Sequence, residues 1–273
     1  MDFKRIEWIF LIVFIGINIF LGIELWQTPT LLSAGTTPTQ TDIKSETSAD
    51  QITIPKVNDK QGDGYYLAAK VDDSWMKKAT DQVNQSVENN ASENSISVHL
   101  NKPITISRNS KEALKEIIKF KNNSQNIYQG KKYVYIPELS ESDDYVFSQK
   151  NKYGEIFSAT ARLHIIVKNN QIISYSQHYV DNLNPVRERQ NTISSKAAVN
   201  SLYTYSELPN NSKIVWLKQV YTRLLTVKGS AIFIPTWVAA IENNTSKTIT
   251  LKRVNAFTGT IIQNSIAADD SKE

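Results

Sequence analysis

Residues 6–25, IEWIFLIVFIGINIFLGIEL, constrain this chain more than any other stretch. The run is almost wholly apolar, and a helix needs about 20 such residues to cross a hydrocarbon core of roughly 30 Å. Its three polar residues are Glu7, Asn18 and Glu24, two of them near the ends. Trp8 and Trp26 stand at the two ends, where amphipathic rings favour the membrane–water interface. The pattern predicts one transmembrane helix over residues 6–26. Lys4 and Arg5 precede it, and no Lys or Arg follows until Lys44. Basic flanks stay inside. The expected topology is a single-pass protein of the cell membrane, with residues 1–5 cytoplasmic and the C-terminal region extracellular. A cleaved leader would have a shorter apolar core with small residues directly after it. Here the nearest such site, Leu32-Ser33-Ala34, comes well beyond the run.

One intramembrane side chain stands out. An amide in hydrocarbon is costly without a partner. Asn18, with Gly22 one turn on and Leu11 and Ile15 before it, defines a stripe on which a second helix can pack. Leu11, Ile15, Asn18 and Gly22 are therefore the candidate partner-binding face. The competing reading is that Asn18 bonds its own helix backbone and the helix is a tether.

Beyond the apolar run, residues 27–62 are rich in Thr, Ser, Pro, Asp and Lys. They read as a flexible extracellular stalk. The folded part is expected over 63–265, with a frayed tail at 266–273. A helix with one apolar face opens at Asp73 or Ser74, and its four-residue stripe Trp75, Ala79, Val83, Val87 carries it to Val87. Ser95 to Leu100 alternates as a half-buried strand. Asn109 caps a helix to Lys121, with Glu112 placed for a capping box. Strands follow at 133–136, 145–149, 155–167 and 171–180, the last two joined by a two-residue Asn169-Asn170 turn. A further helix runs from a Ser194 cap to Glu207, ahead of Pro209. The remaining strands are 213–227, 231–241, 248–257 and 260–263. Ser110-Lys111-Glu112-Ala113-Leu114 echoes Ser195-Lys196-Ala197-Ala198-Val199, and each opens a helix ahead of a run of strands. The expected fold class is α+β: two related units, 63–182 and 183–265, each with helices packed on a mostly antiparallel sheet.

Chemistry is hard to find. Cysteine is absent, which excludes disulfides, thiol nucleophiles and Cys-based metal sites. His99, His164 and His178 share no ligand spacing. If residues pair outward from the Asn169-Asn170 turn, His164 faces Tyr175 rather than His178, so the two do not form a metal pair. Asp143-Asp144 and Asp269-Asp270 are adjacent pairs, whose side chains point to opposite faces of a strand. Pro235-Thr236-Trp237 reads as sheet core. The net charge of +4 is too dilute to argue for nucleic acid. No catalytic residue, cofactor site or metal site is expected.

The opening MDFKRIEWIFLIVFIGINIFLGIELW resembles the amino terminus of the YycI (WalI) family. GYYLAAK, FIPTWVAAIE and LKRVNAFTGTII are also similar to that family's pattern. The resemblance implies a non-enzymatic single-span membrane protein that modulates the sensor histidine kinase YycG (WalK) together with a YycH-like partner. It implies α+β helix-plus-sheet units outside the cell, no cofactor and no catalytic residues. The C-terminal helix-then-hairpins pattern is also similar to PepSY-like domains. That leaves an alternative, a membrane-tethered extracellular module binding peptide or cell-wall glycan.

Overall fold

The computed structural model describes residues 7–20, 46–70 and 72–263. They divide into two units, Met1–Asp50 and Gln51–Glu273. In the first, residues 7–20 are α-helical. The rest of the expected 6–26 span, Gly22 included, lies outside the described residues. A span needs about 20 residues. Among the described residues, no helix is long and apolar enough to cross a membrane.

The second unit is built on sheet. Its strands are β1 Gly62–Gly64, β2 Leu67–Lys70, β3 Val87–Asn90, β4 Ser95–Thr105, β5 Tyr133–Tyr135, β6 Asp144–Lys150 and β7 Glu155–Ile156. They continue as β8 Arg162–Lys168, β9 Gln171–His178, β10 Asn184–Pro185, β11 Gln190–Thr192, β12 Ser212–Val227, β13 Ser230–Asn243 and β14 Ile249–Asn255. Three helices accompany them: α1 Ser74–Gln82, α2 Ser110–Asn122 and α3 Ser195–Thr204. The architecture is α+β and dominated by one twelve-stranded sheet, ordered β10-β2-β13-β12-β7-β6-β8-β9-β4-β3. β14 also pairs with β13, and β5 with β6.

The sheet has two helix-backed stretches. On β4, β6, β8 and β9, the helices α1 and α2 bury Trp75, Ala79, Ala113, Ile117 and Phe120 against Ile96, Phe147, Leu163 and Tyr175. On β12, β13 and β14, α3 buries Ala198, Val199 and Leu202 against Ile214, Ala239, Ile241 and Val254. Burying one such large apolar side chain contributes about 1.5–3 kcal/mol. Between the stretches lies a narrow seam. β7 meets β12 in parallel at one residue pair, Tyr221 and Ile156, and Phe157 N donates to Tyr221 O at 2.8 Å. Two small apolar clusters bridge it, one with Ile156, Tyr221 and Phe233 and one with Phe157, Val220 and Val238.

Several local expectations meet the structure directly. Asn109 caps α2, its Oδ1 accepting from the N–H groups of Lys111 (3.0 Å) and Glu112 (3.3 Å). The reciprocal half of the box is absent, because Glu112 Oε2 accepts from Ser107 Oγ instead (3.0 Å). Asn109→Ala should therefore cost about 1 kcal/mol, read as a lowered urea midpoint with an unchanged slope. Ser194 Oγ caps α3 through Ala197 N at 3.1 Å.

Other expectations need correction. α1 ends at Gln82, because Val87 leaves the helical stripe to pair with Val98 in the β3–β4 hairpin. The Asn169-Asn170 turn is left-handed at both residues (φ 52° and 59°), as the primed hairpin turn requires. One residue, Ile173, is extra on β9, so His164 faces Ser176 and not Tyr175. The long 155–167 strand is two strands, β7 and β8, split by a 3₁₀ turn at Ala159–Ala161. The stalk expected over 27–62 is not loose at its far end. Ile52 is buried with α3, Thr53 bridges to Lys213, and Gly62–Gly64 pairs with β11. Sparse apolar residues suffice there because neighbouring strands supply the hydrogen bonds. Residues 27–45 and the 266–273 tail lie outside the described residues.

Candidate interaction sites

On the N-terminal helix, Leu11 and Ile15 are each 48% exposed, the least of its large apolar residues. Asn18 follows on the same face by helical spacing. Its Nδ2 donates to Phe14 O at 2.8 Å. That is the self-satisfied bond of the tether reading. It uses one of the two amide N–H groups. A Cβ on Gly16 would meet nothing within 4 Å, so a second backbone has room to approach there.

In the second unit, His164 Nδ1 lies 2.9 Å from Asp144 Oδ2, on adjacent strands β8 and β6. His178 sits on β9 opposite Ser95, apart from His164. Among the described residues, no three His, Asp or Glu side chains converge as metal ligands. Thr236 is fully buried and Trp237 Nε1 donates to Ile193 O, as sheet core requires.

Spacing alone does not mark a lysine-lined cleft in the second unit. It is about 520 Å³ and opens where β6 turns into β7 beside the segment that leaves β9. Lys150 and Lys152 flank Asn151 on that turn, and Lys132 joins them from the 3₁₀ turn at Gly130–Lys132. Asn151 is locked in place, its Oδ1 accepting from the backbone N–H of Tyr153 (2.7 Å) and Gly154 (3.1 Å). Its Nδ2 is buried with no hydrogen-bond partner. Lys132 Nζ donates to the Tyr179 hydroxyl at 2.6 Å. Burial pushes the Tyr179 phenol up to about 12, so it stays neutral and leaves the lysine's charge uncancelled.

Comparison with known proteins decides the family. The profile of the YycI protein family matches residues 33–257. The chain belongs to the YycI family. The match holds the whole sheet through β14, and GYYLAAK and FIPTWVAAIE fall inside it. YycI is a regulatory family and not a known enzyme family, and membership points to a membrane-associated protein with a role in YycFG regulation. No curated protein matches the chain. Among solved structures, an uncharacterized protein from Eubacterium rectale is similar at a TM-score of 0.47 and 12% identity, over 78% of this chain and 91% of its own. The YpeB C-terminal domain of Bacillus megaterium is similar at a TM-score of 0.38 and 12% identity, over 71% of this chain and 97% of its own.

Proposed function

We propose that this YycI protein is a non-enzymatic, single-span membrane regulator of a YycG/WalK-like sensor histidine kinase, acting with a YycH-like partner. The family match over residues 33–257 carries the reading. The apolar run at 6–26 supports a membrane span with its N-terminus cytoplasmic and the sheet domain outside. In this reading the helix face Leu11, Ile15, Asn18 and Gly22 meets the kinase's own spans, and the sheet domain adds contacts outside. The spare Asn18 N–H favours it.

The test is co-purification with the kinase from membranes. An interhelical amide bond contributes about 0.6–2 kcal/mol, so Asn18→Leu should weaken recovery by about 3- to 30-fold. Replacing residues 6–26 by polyleucine should abolish it. Undiminished recovery from the polyleucine chain would refute the helix contact. The alternative, a tethered module for peptide or cell-wall glycan, has one observation in its favour, the lysine-lined cleft.

A further inference from the structure

We propose that the cleft at the β6–β7 turn is a binding site for an anionic, acceptor-rich ligand of sugar or polyol size, carrying phosphate or carboxylate groups. The inference deepens the tethered-module reading and does not depend on the kinase. Four observations carry it.

The first is charge. Lys132, Lys150 and Lys152 line the cleft against one carboxylate, Asp181. Asp181 is itself engaged by Lys78 at 3.6 Å. Among the described residues, neither Lys150 nor Lys152 is within ion-pair distance of a carboxylate. Glu155 faces Lys150 across the β6–β7 ladder without closing to one. Three clustered ammonium groups with so little compensation raise the local positive potential and favour an anion.

The second is the hydrogen-bond balance. Asn151 has spent its acceptor on two backbone N–H groups, and its Nδ2 is buried, so it offers the cleft no acceptor. Gln149, deeper in the wall, has spent both ends on the backbone of Val180 (2.7 and 2.8 Å). What the wall still offers to the cleft is donors, from the lysines. The fitting ligand is therefore rich in acceptors.

The third is shape and surface. Tyr153 presents a ring with Lys152 Nζ 4.9 Å from its centroid. An ammonium group held over a ring at the cleft wall suits a sugar or polyol whose oxygens turn to the lysine. The fourth is size. About 520 Å³ holds one or two sugar-sized units, within the usual range for small-ligand sites.

The test uses the full chain in phosphatidylcholine nanodiscs and titration calorimetry at low salt. The probes are a glycerol-phosphate hexamer, trigalacturonate, maltohexaose as the neutral sugar, and hexaglutamate. Binding of either of the first two, with maltohexaose silent, is the expected result. The glycerol-phosphate hexamer alone identifies a phosphate source, and trigalacturonate alone a carboxylate source. Lys150→Gln/Lys152→Gln should weaken that binding at least 10-fold, with an unchanged circular-dichroism melt. Lys111→Gln/Lys115→Gln, which removes equal charge from α2, should leave it unaltered. No binding of either anionic probe, equal weakening by both double variants, or tighter binding of hexaglutamate would each overturn the proposal.

Discussion

Gly130→Ala is expected to cost the sheet domain about 3 kcal/mol, one of the two largest effects of a single substitution proposed for this chain. A Cβ at Gly130 would stand 1.8 Å from the backbone oxygen of Lys121 and 2.9 Å from its carbonyl carbon. Neither atom belongs to a side chain that can swing away. Lys121 lies in the last turn of α2, which is fixed to the sheet by Phe120 and Ile117. The loop from Asn123 to Gly130 must therefore lift off, and with it Ile127 and Tyr128, both buried. For a domain of this size, about 3 kcal/mol lowers the melting temperature by roughly 6–12 °C. A thermal melt of the purified chain followed at the circular-dichroism sheet signal measures it. An unchanged melting temperature would mean that the close approach at Gly130 is relieved by local backbone movement.

The second large effect concerns the same corner. Lys121 is only 3% exposed, yet no carboxylate pairs with it among the described residues. Its Nζ donates instead to Gly130 O (2.6 Å), Tyr133 O (2.9 Å) and Asn122 Oδ1 (2.7 Å). The ammonium thus pins the 3₁₀ turn and the start of β5 to α2. Lys121→Met keeps the apolar stem and removes the pin, at a cost of about 2 kcal/mol near neutral pH.

The pH dependence identifies the cause. Burial lowers Lys121 from its ordinary 10.5 to about 8. Below pH 8 the folded and unfolded chains both hold the proton, and the folded state carries the full burial penalty. Between pH 8 and 10.5 the unfolded chain binds more protons than the folded one, so this group's contribution to stability rises with pH. The gap between the parent chain and Lys121→Met should widen by about 3 kcal/mol across that window. Urea unfolding at pH 7.5, 9 and 10.5 measures it. A constant gap would show that the three oxygen acceptors hold the proton on Lys121 throughout.

Sequence reading reached those features whose causes are local. The Asn109 and Ser194 caps are such cases, as is the Asn169-Asn170 turn, where Asn supplies the positive φ the hairpin demands. It failed where a distant partner overrides a local pattern. Val87 continues the stripe of α1 on paper, but Val98 claims it for a strand. The Ile173 bulge has no local signature and moves every pairing beyond it by one residue. Thr53 earns its place only through Lys213. The lysine cleft is the extreme case. Its members come from 132, 149–153 and 179–183, so no spacing rule could gather them. Lys121 escaped for the same reason, since a lysine in a helix ordinarily faces water.

The seam between β7 and β12 has a mechanical consequence. Along most of the sheet, neighbouring strands are zipped by ladders many residues long, but here the backbone contributes a single residue pair and one further bond. Besides one exposed ion pair, Lys218–Glu138 at 3.1 Å, contact across this line is carried by Ile156, Phe157, Val220, Tyr221 and Phe233, which is to say by grease more than by rungs. Grease slides where rungs snap, and it weakens in the cold while the rungs do not. Chilling should therefore slacken this joint ahead of either helix-backed half.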